Sequence, residues 1–123
     1  MALASAAAEN AALNGLDGTG STNTMTHVSL HTASPSTTGA NENANSGSYA
    51  RQSCSWNAAS SGSKTNSTAL TFSTAGTTAV THFGTWNSAT YGAGTYAIGG
   101  ALGSSVTAAS ITIASGAITL SAS

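Results

Sequence analysis

Apolar residues fall at helical spacing at the start of the chain and at alternate positions from Met25 onward. Over residues 2–16, Leu3, Ala6, Ala7, Leu13 and Leu16 share one face of an Ala-rich stretch, and Gly15 lies near its end. This pattern predicts one short α-helix over 2–16 and a loop over 17–23. A helix of that length is marginal alone in water, so it is expected to dock on the chain's own sheet or on a neighbouring subunit.

The later runs are rich in Thr, Ser, Val, Ile and aromatic residues and are punctuated by Gly, Ser and Asn, which predicts strands and turns. In a strand over 25–32, Thr26, Val28 and Leu30 lie on one face, with His27, Ser29 and His31 on the other. Residues 33–47 hold the only proline, Pro35, amid Ser, Thr, Asn and Gly, and read as a long surface loop. A strand over 49–57 would set Ala50, Gln52, Cys54 and Trp56 against Tyr49, Arg51, Ser53 and Ser55. Further strands are expected near 68–74, 78–86, 94–102 and 106–113.

The sharpest local expectation is a C-terminal hairpin. A two-residue turn at Ser115-Gly116 would pair Ala114 with Ala117, Ile113 with Ile118, Thr112 with Thr119 and Ile111 with Leu120. All four large aliphatics then share one face, so turn chemistry and hydrophobic pattern select the same register. Short strands at this spacing predict a mainly β fold: a small antiparallel β-sandwich or jelly-roll-like domain with one short N-terminal helix. The expected organisation is a single domain over 1–123, with a helical N-terminal arm over 1–16 and a β domain over 25–123.

Charge changes this picture most. Only 4% of the residues are charged, two basic and three acidic, against about 25% in ordinary domains. The surface must therefore be Ser, Thr, Asn, Gly and Ala, which can pack against neighbours without desolvating ions. Much of the 40% apolar content is Ala, so the core is thin and partners that bind only the folded state would stabilise it. Arg51 and Lys64 cannot form the basic stripe that nucleic acid requires. No run approaches the length of a membrane span. Glu9 and Asn10 interrupt what would be the apolar part of a secretory signal, which also lacks its basic start. A soluble protein made in a cytoplasm is expected. Cys54, the single cysteine, permits no intrachain disulfide and reads as a small buried apolar residue.

Several strings imitate chemical motifs. Gly92-x-Gly94-x-x-Ala97 has dinucleotide-fingerprint spacing without a βαβ context, and Gly62-Ser63-Lys64-Thr65 ends like a P-loop without its upstream glycine, so both read as turn or strand. His27 and His31 would be about 13 Å apart along a strand, too far to share one ion, and read as partly buried, hydrogen-bonded residues. The carboxylates, Glu9, Asp17 and Glu42, all lie in the N-terminal third. No Gly-x-Ser-x-Gly elbow accompanies His82. Asn66-Ser67-Thr68 fits a glycosylation sequon, and a Thr-rich β chain suggests an ice-binding face, though no fixed-period repeat is present. No catalytic, metal-binding or cofactor-binding residue is assigned, and no enzyme is expected.

The order of strings His27-Val28-Ser29-Leu30-His31-Thr32-Ala33-Ser34-Pro35, Thr38-Gly39-Ala40-Asn41-Glu42, Gly47-Ser48-Tyr49-Ala50-Arg51-Gln52 with Trp56, Thr81-His82-Phe83-Gly84-Thr85-Trp86 and a Gly-Ala-Ile-Thr-Leu ending resembles small tailed-phage virion proteins. These are commonly labelled tail fibre or minor tail proteins. The resemblance spans nearly the whole chain, with Asn87 standing where an acidic residue is expected. It implies a virion structural protein assembled in the host cytoplasm, a homo-oligomer within an assembly that contacts the major capsid protein or tail proteins.

The chain has neither heptads nor room for a trimeric stalk, so a capsid decoration, or cement, protein is the leading expectation. A tail or tail-fibre component that recognises a host surface or glycan is the alternative, with Tyr91 and Tyr96 stacking on sugars. A host-acting carbohydrate-binding module or enzyme represents a different class. The N-terminal helix and the 33–47 loop are expected to contact neighbours, while Trp56, Phe83 and Trp86 anchor the core. Arg51 is expected to pair with Glu42 or with a partner's carboxylate, an exposed pair contributing little.

Overall fold

Antiparallel pairing organises the computed structural model, which describes residues 14–15, 25–44 and 48–121. Its eight strands are β1 (His27–His31), β2 (Gln52–Ser53), β3 (Ser63–Thr65), β4 (Leu70–Ser73), β5 (Val80–Trp86), β6 (Tyr96–Val106), β7 (Ser110–Ile113) and β8 (Thr119–Ser121). A four-stranded sheet runs β2-β1-β5-β6, and two ribbons pair β3 with β8 and β4 with β7. Of the helix expected over 2–16, Asn14 and Gly15 have helical backbone; the remainder, like the 17–23 loop, lies outside the described residues.

The sheet and both ribbons contribute to one apolar cluster. Val28 and Leu30 of β1 stand opposite Thr85 and Phe83 of β5 on one face of the sheet. The ribbons add Leu70, Phe72, Ile111, Ile113, Ile118 and Leu120, each at most 7% exposed. Burial of a side chain of this size contributes about 2 kcal/mol. The outward positions carry hydroxyls in register, with Thr71 opposite Thr112 and Ser73 opposite Ser110.

The C-terminal expectation is right about faces and wrong about partners. Ile111, Ile113, Ile118 and Leu120 are buried and Thr112 and Thr119 exposed, yet β7 pairs with β4 and β8 pairs with β3. The turn itself forms, with the Ala117 N–H donating to the Ala114 carbonyl at 3.1 Å. Gly116 has φ 80° whereas Ser115 is not left-handed, the φ pattern of a type II turn, whose twist splays the strands it joins. Asn66, fully buried, occupies the opening. Its side chain donates to the carbonyls of Thr68 and Ala114 at 2.8 and 3.1 Å and accepts from the Ile118 N–H at 2.9 Å. Its own carbonyl accepts from the Gly116 N–H at 2.8 Å.

Other departures also have identifiable causes. The 49–57 strand shrinks to Gln52–Ser53, because Tyr49 and Arg51 are buried together and the buried parity then shifts to Cys54. Residues 63–65, read as a turn, form β3 beyond a tighter turn at Ser61-Gly62, where φ is 51° and 78°. Strand β6 runs on to Val106, with four residues between Ala101 and Val106 facing the single residue between His82 and Val80. This wide bulge contains Gly103 at φ 92°.

Candidate functional site

The second face of the sheet is buried at its centre, at Ser29, His31 and Gly84, and is chemically unlike the first. Ser29 stands opposite Gly84, His31 opposite His82 and His27 opposite Trp86, so these residues share the face turned away from Leu30. Two strand glycines make room there. A Cβ on Gly84 would lie 2.7 Å from His31 Nε2 and 2.9 Å from Ser29 Oγ, and one on Gly99 would meet the Tyr96 hydroxyl and Pro35. Gly39, at φ 76° in the covering loop, lies flat on the Trp86 ring, where a Cβ would meet ring carbons at 2.5 Å.

One hydrogen-bond chain crosses this face. Trp86 Nε1–H donates to Ser29 Oγ at 2.7 Å, and Ser29 lies 2.6 Å from His31 Nε2. His31 Nδ1 lies 2.7 Å from the Ala40 carbonyl. A carbonyl can only accept, so Nδ1 carries the proton and Nε2 accepts from the Ser29 hydroxyl. Burial pushes His31 below the ordinary imidazole range; the Ala40 carbonyl and Glu42 oppose that shift, while Arg51 and His82 reinforce it. His27 is also lowered, by burial first and Arg51 second.

Beside this chain lies a buried ion pair. Arg51 Nη2 and Nε donate to the two Glu42 oxygens at 2.8 and 2.9 Å, and the side chains are 0% and 8% exposed. Arg51 Nη1 donates to the carbonyls of Ser88 and Ala93, while the guanidinium stacks 3.8 Å from the Trp86 ring centroid. Tyr49 donates to Glu42 at 2.9 Å and accepts from the Leu30 N–H at 3.1 Å. Burial raises its phenol far above the ordinary range, with the neighbouring Glu42 adding to the shift. The pair therefore fastens the 32–44 loop and the 87–95 loop to the sheet. It is the expected Arg51–Glu42 pair, but buried rather than exposed, so loss of one partner would leave a buried charge.

The 33–47 loop, expected to contact neighbours, is over its described residues 33–44 held closely by its own domain. Pro35, Gly39 and Asn43 are buried. The Pro35 carbonyl accepts from the N–H groups of Gly39 and Ala40, and the Asn43 N–H donates to the Leu30 carbonyl at 2.7 Å. Phe83 belongs to the apolar cluster as expected and half-buried Trp56 packs against it, donating from Nε1 to the Met25 carbonyl at 3.0 Å, whereas Trp86 is buried on the polar face.

Chemically, Ser29 and His31 have the contact of a nucleophile and its base, but both are 0% exposed, so no substrate reaches them. Among the described residues no three His, Cys, Asp or Glu side chains come together as metal ligands, and both His31 nitrogens are already engaged. The Gly92–Gly94 string lies in the β5–β6 loop. There Asn87 Oδ1 accepts from the Thr95 N–H at 2.7 Å, a carboxylate-like role for the residue at the departing position. Asn66 of the sequon is 0% exposed. Cys54 is buried, which raises its thiol to about 11. Tyr91 is 38% exposed and stands edge-on to Tyr49, and Tyr96 packs edge-on against Trp86. An uncharged recess of about 380 Å³ opens between the β6 bulge and β7, lined by Phe83, Leu102, Val106, Ile111, Ile113 and Ile118 among others.

The signal that sequence reasoning missed was glycine. Gly84 and Gly99 within strands mark places where side chains from neighbouring elements cross the backbone.

Residues 3–121 match the family model described as Podophage GP4 fiber I protein gp80. No curated protein and no solved structure matches the chain.

Proposed function

The chain belongs to the podophage GP4 fiber I protein gp80 family, and from that membership we propose that it is a non-enzymatic, fibre-type component of the phage tail, held in the virion by contacts with other structural proteins. The observation that carries this reading is the extent of the match, which includes every strand of the β fold. The family's fibre description supports the tail-fibre reading over the capsid decoration expected from the charge-poor domain. The sheet and ribbons around one core are read as a small sandwich and a single domain, multiplied by association with further copies or neighbouring tail proteins during assembly in the host cytoplasm. The sealed polar face supports a structural role: its hydrogen bonds fix two loops and leave the Ser29–His31 pair inaccessible. The uncharged recess and Tyr91 are the places where a neutral host glycan would be sought.

Quantitative mass spectrometry of purified virions, with labelled-antibody microscopy, tests the assignment. A small copy number confined to the tail is expected. A copy number matching the capsid subunits, with label over the head, would overturn it in favour of decoration.

A further inference from the structure

Lys64 is the largest fully buried side chain among the described residues, 1% exposed on a strand whose flanking Ser63 and Thr65 are only partly buried. Its Nζ lies 2.7 Å from the side-chain oxygen of Asn14, and the same oxygen accepts the backbone N–H of Ala59 at 2.9 Å. An amine, a primary amide and a fixed backbone donor therefore meet at one carbonyl group. We propose that Lys64 and Asn14 become joined by an intramolecular isopeptide bond.

The geometry supplies what that acyl transfer needs. The amine is held 2.7 Å from the oxygen of the carbonyl group it must attack, which lowers the entropic cost of bringing the groups together. The Ala59 N–H is directed at the oxygen on which negative charge develops in the tetrahedral intermediate. Burial of Lys64 limits the water that could compete at the amine. Nζ first gives up the proton that makes it an ammonium, and its lone pair then forms a bond to Asn14 Cγ as a second proton leaves it. The Cγ–Nδ2 bond then breaks, and Nδ2 takes that proton and leaves as ammonia. A primary amine and a primary amide become a secondary amide plus ammonia, with no oxidant, reductant or cofactor.

The product would tie residue 14 covalently to β3, which pairs with β8. The N-terminal side of the chain could then not be pulled away from the β fold under load. The chemistry depends only on the Lys64–Asn14–Ala59 contact, so it stands or fails separately from the assignment to a fibre.

Intact-mass measurement of the purified full chain tests the proposal, read together with a tryptic digest under denaturing conditions. The expected mass is lower than the sequence mass by one ammonia. Trypsin has two sites, Arg51 and Lys64, and an acylated Lys64 is not cut, so residues 1–51 and 52–123 should remain joined as one branched product. Lys64→Arg and Asn14→Ala should restore the full mass, and Asn14→Asp should lose one water instead.

An unshifted mass with three separate tryptic peptides would overturn the proposal. Loss of ammonia with normal cleavage after Lys64 would do so as well, because it would identify a succinimide at Asn14-Gly15. Both readings use the denatured wild-type chain, so they do not depend on whether a variant folds.

Discussion

Among the described residues the same dipeptide, Ser-Gly, makes two turns and produces opposite results. At Ser61-Gly62 both residues are left-handed, with φ 51° and 78°, and Ser60 and Ser63 exchange backbone hydrogen bonds at 2.8 and 2.9 Å. That is the type I′ pattern, whose twist matches paired strands, and the chain returns alongside itself. At Ser115-Gly116 only the glycine is left-handed, and the strands on either side leave for different partners. Turn residues permit a hairpin. What decides is whether the flanking strands are each other's best partners or whether, as with β7 and β8, other strands and a buried Asn66 take the backbone groups first.

The strongest test of this contrast uses the faces, which survive although the pairing does not. Ile113→Asp places an unpaired carboxylate in the apolar cluster and should cost about 3 to 5 kcal/mol. Thr112→Asp, one residue away and exposed, should stay within about 0.5 kcal/mol. Chemical denaturation of the pair measures both, and equal losses would remove the claimed burial.

Asn66→Ala comes next. It strips the Ala114 carbonyl and the Ile118 N–H of partners in a buried setting, a loss of about 3 kcal/mol. If splaying depends on Asn66, amide exchange at Ile118 should accelerate more than exchange at Ser63. Uniform acceleration would mean that Asn66 stabilises the fold without holding the two strands apart.

A smaller effect separates the turn types. Gly116→Ala meets no atom within 4 Å, so its cost is backbone strain alone, about 1 to 2 kcal/mol. Asparagine tolerates left-handed backbone, so Ser61→Asn should raise the denaturation midpoint slightly, whereas Ser115→Asn should not. A gain at both positions would show that the C-terminal turn also prefers the type I′ form.

Acid should produce the mildest change, and neither turn should feel it directly. His31 and His27 are lowered from 6.5, so below that pH the unfolded chain takes up protons that the folded chain resists. Their contribution is complete above the ordinary imidazole value and is lost as pH falls. Melting temperature should therefore drop between pH 7 and pH 5, less steeply in His31→Asn, while amide protection of Ala117 and Ser63 changes in parallel. A steeper acid dependence in the variant would contradict the neutral tautomer assigned to His31.

The sequence was most legible where one face is apolar and the other is not. The alternation of Ile111, Ile113, Ile118 and Leu120 against Thr112 and Thr119 gave burial correctly, because a one-residue slip would expose the whole set. It carried no information on which strand would pair, since Leu70 and Phe72 offer β7 an equally apolar edge. Strand β3 was hidden because a lysine marks a solvated position by default, and Lys64 points inward. The polar face was hidden for a related reason. Ser29 and His31 look like the wet side of a two-faced strand, but Pro35, Gly39 and Ala40 cover them. Only a long-range partner, such as Trp86 for Ser29, makes that burial possible, and alternation within one strand does not encode it.

Burial of Glu42, Arg51 and Lys64 turns the usual arrangement inside out, because these are the only formally charged side chains among the described residues. The described exterior consequently offers almost no fixed charge for counterions to screen. Association through it gains nothing from long-range electrostatic steering and proceeds near the unassisted encounter rate of about 10⁵ to 10⁶ M⁻¹s⁻¹. Dilution into fresh water or passage into brine would leave such contacts nearly unaltered, so a joint made through this surface holds equally in either medium.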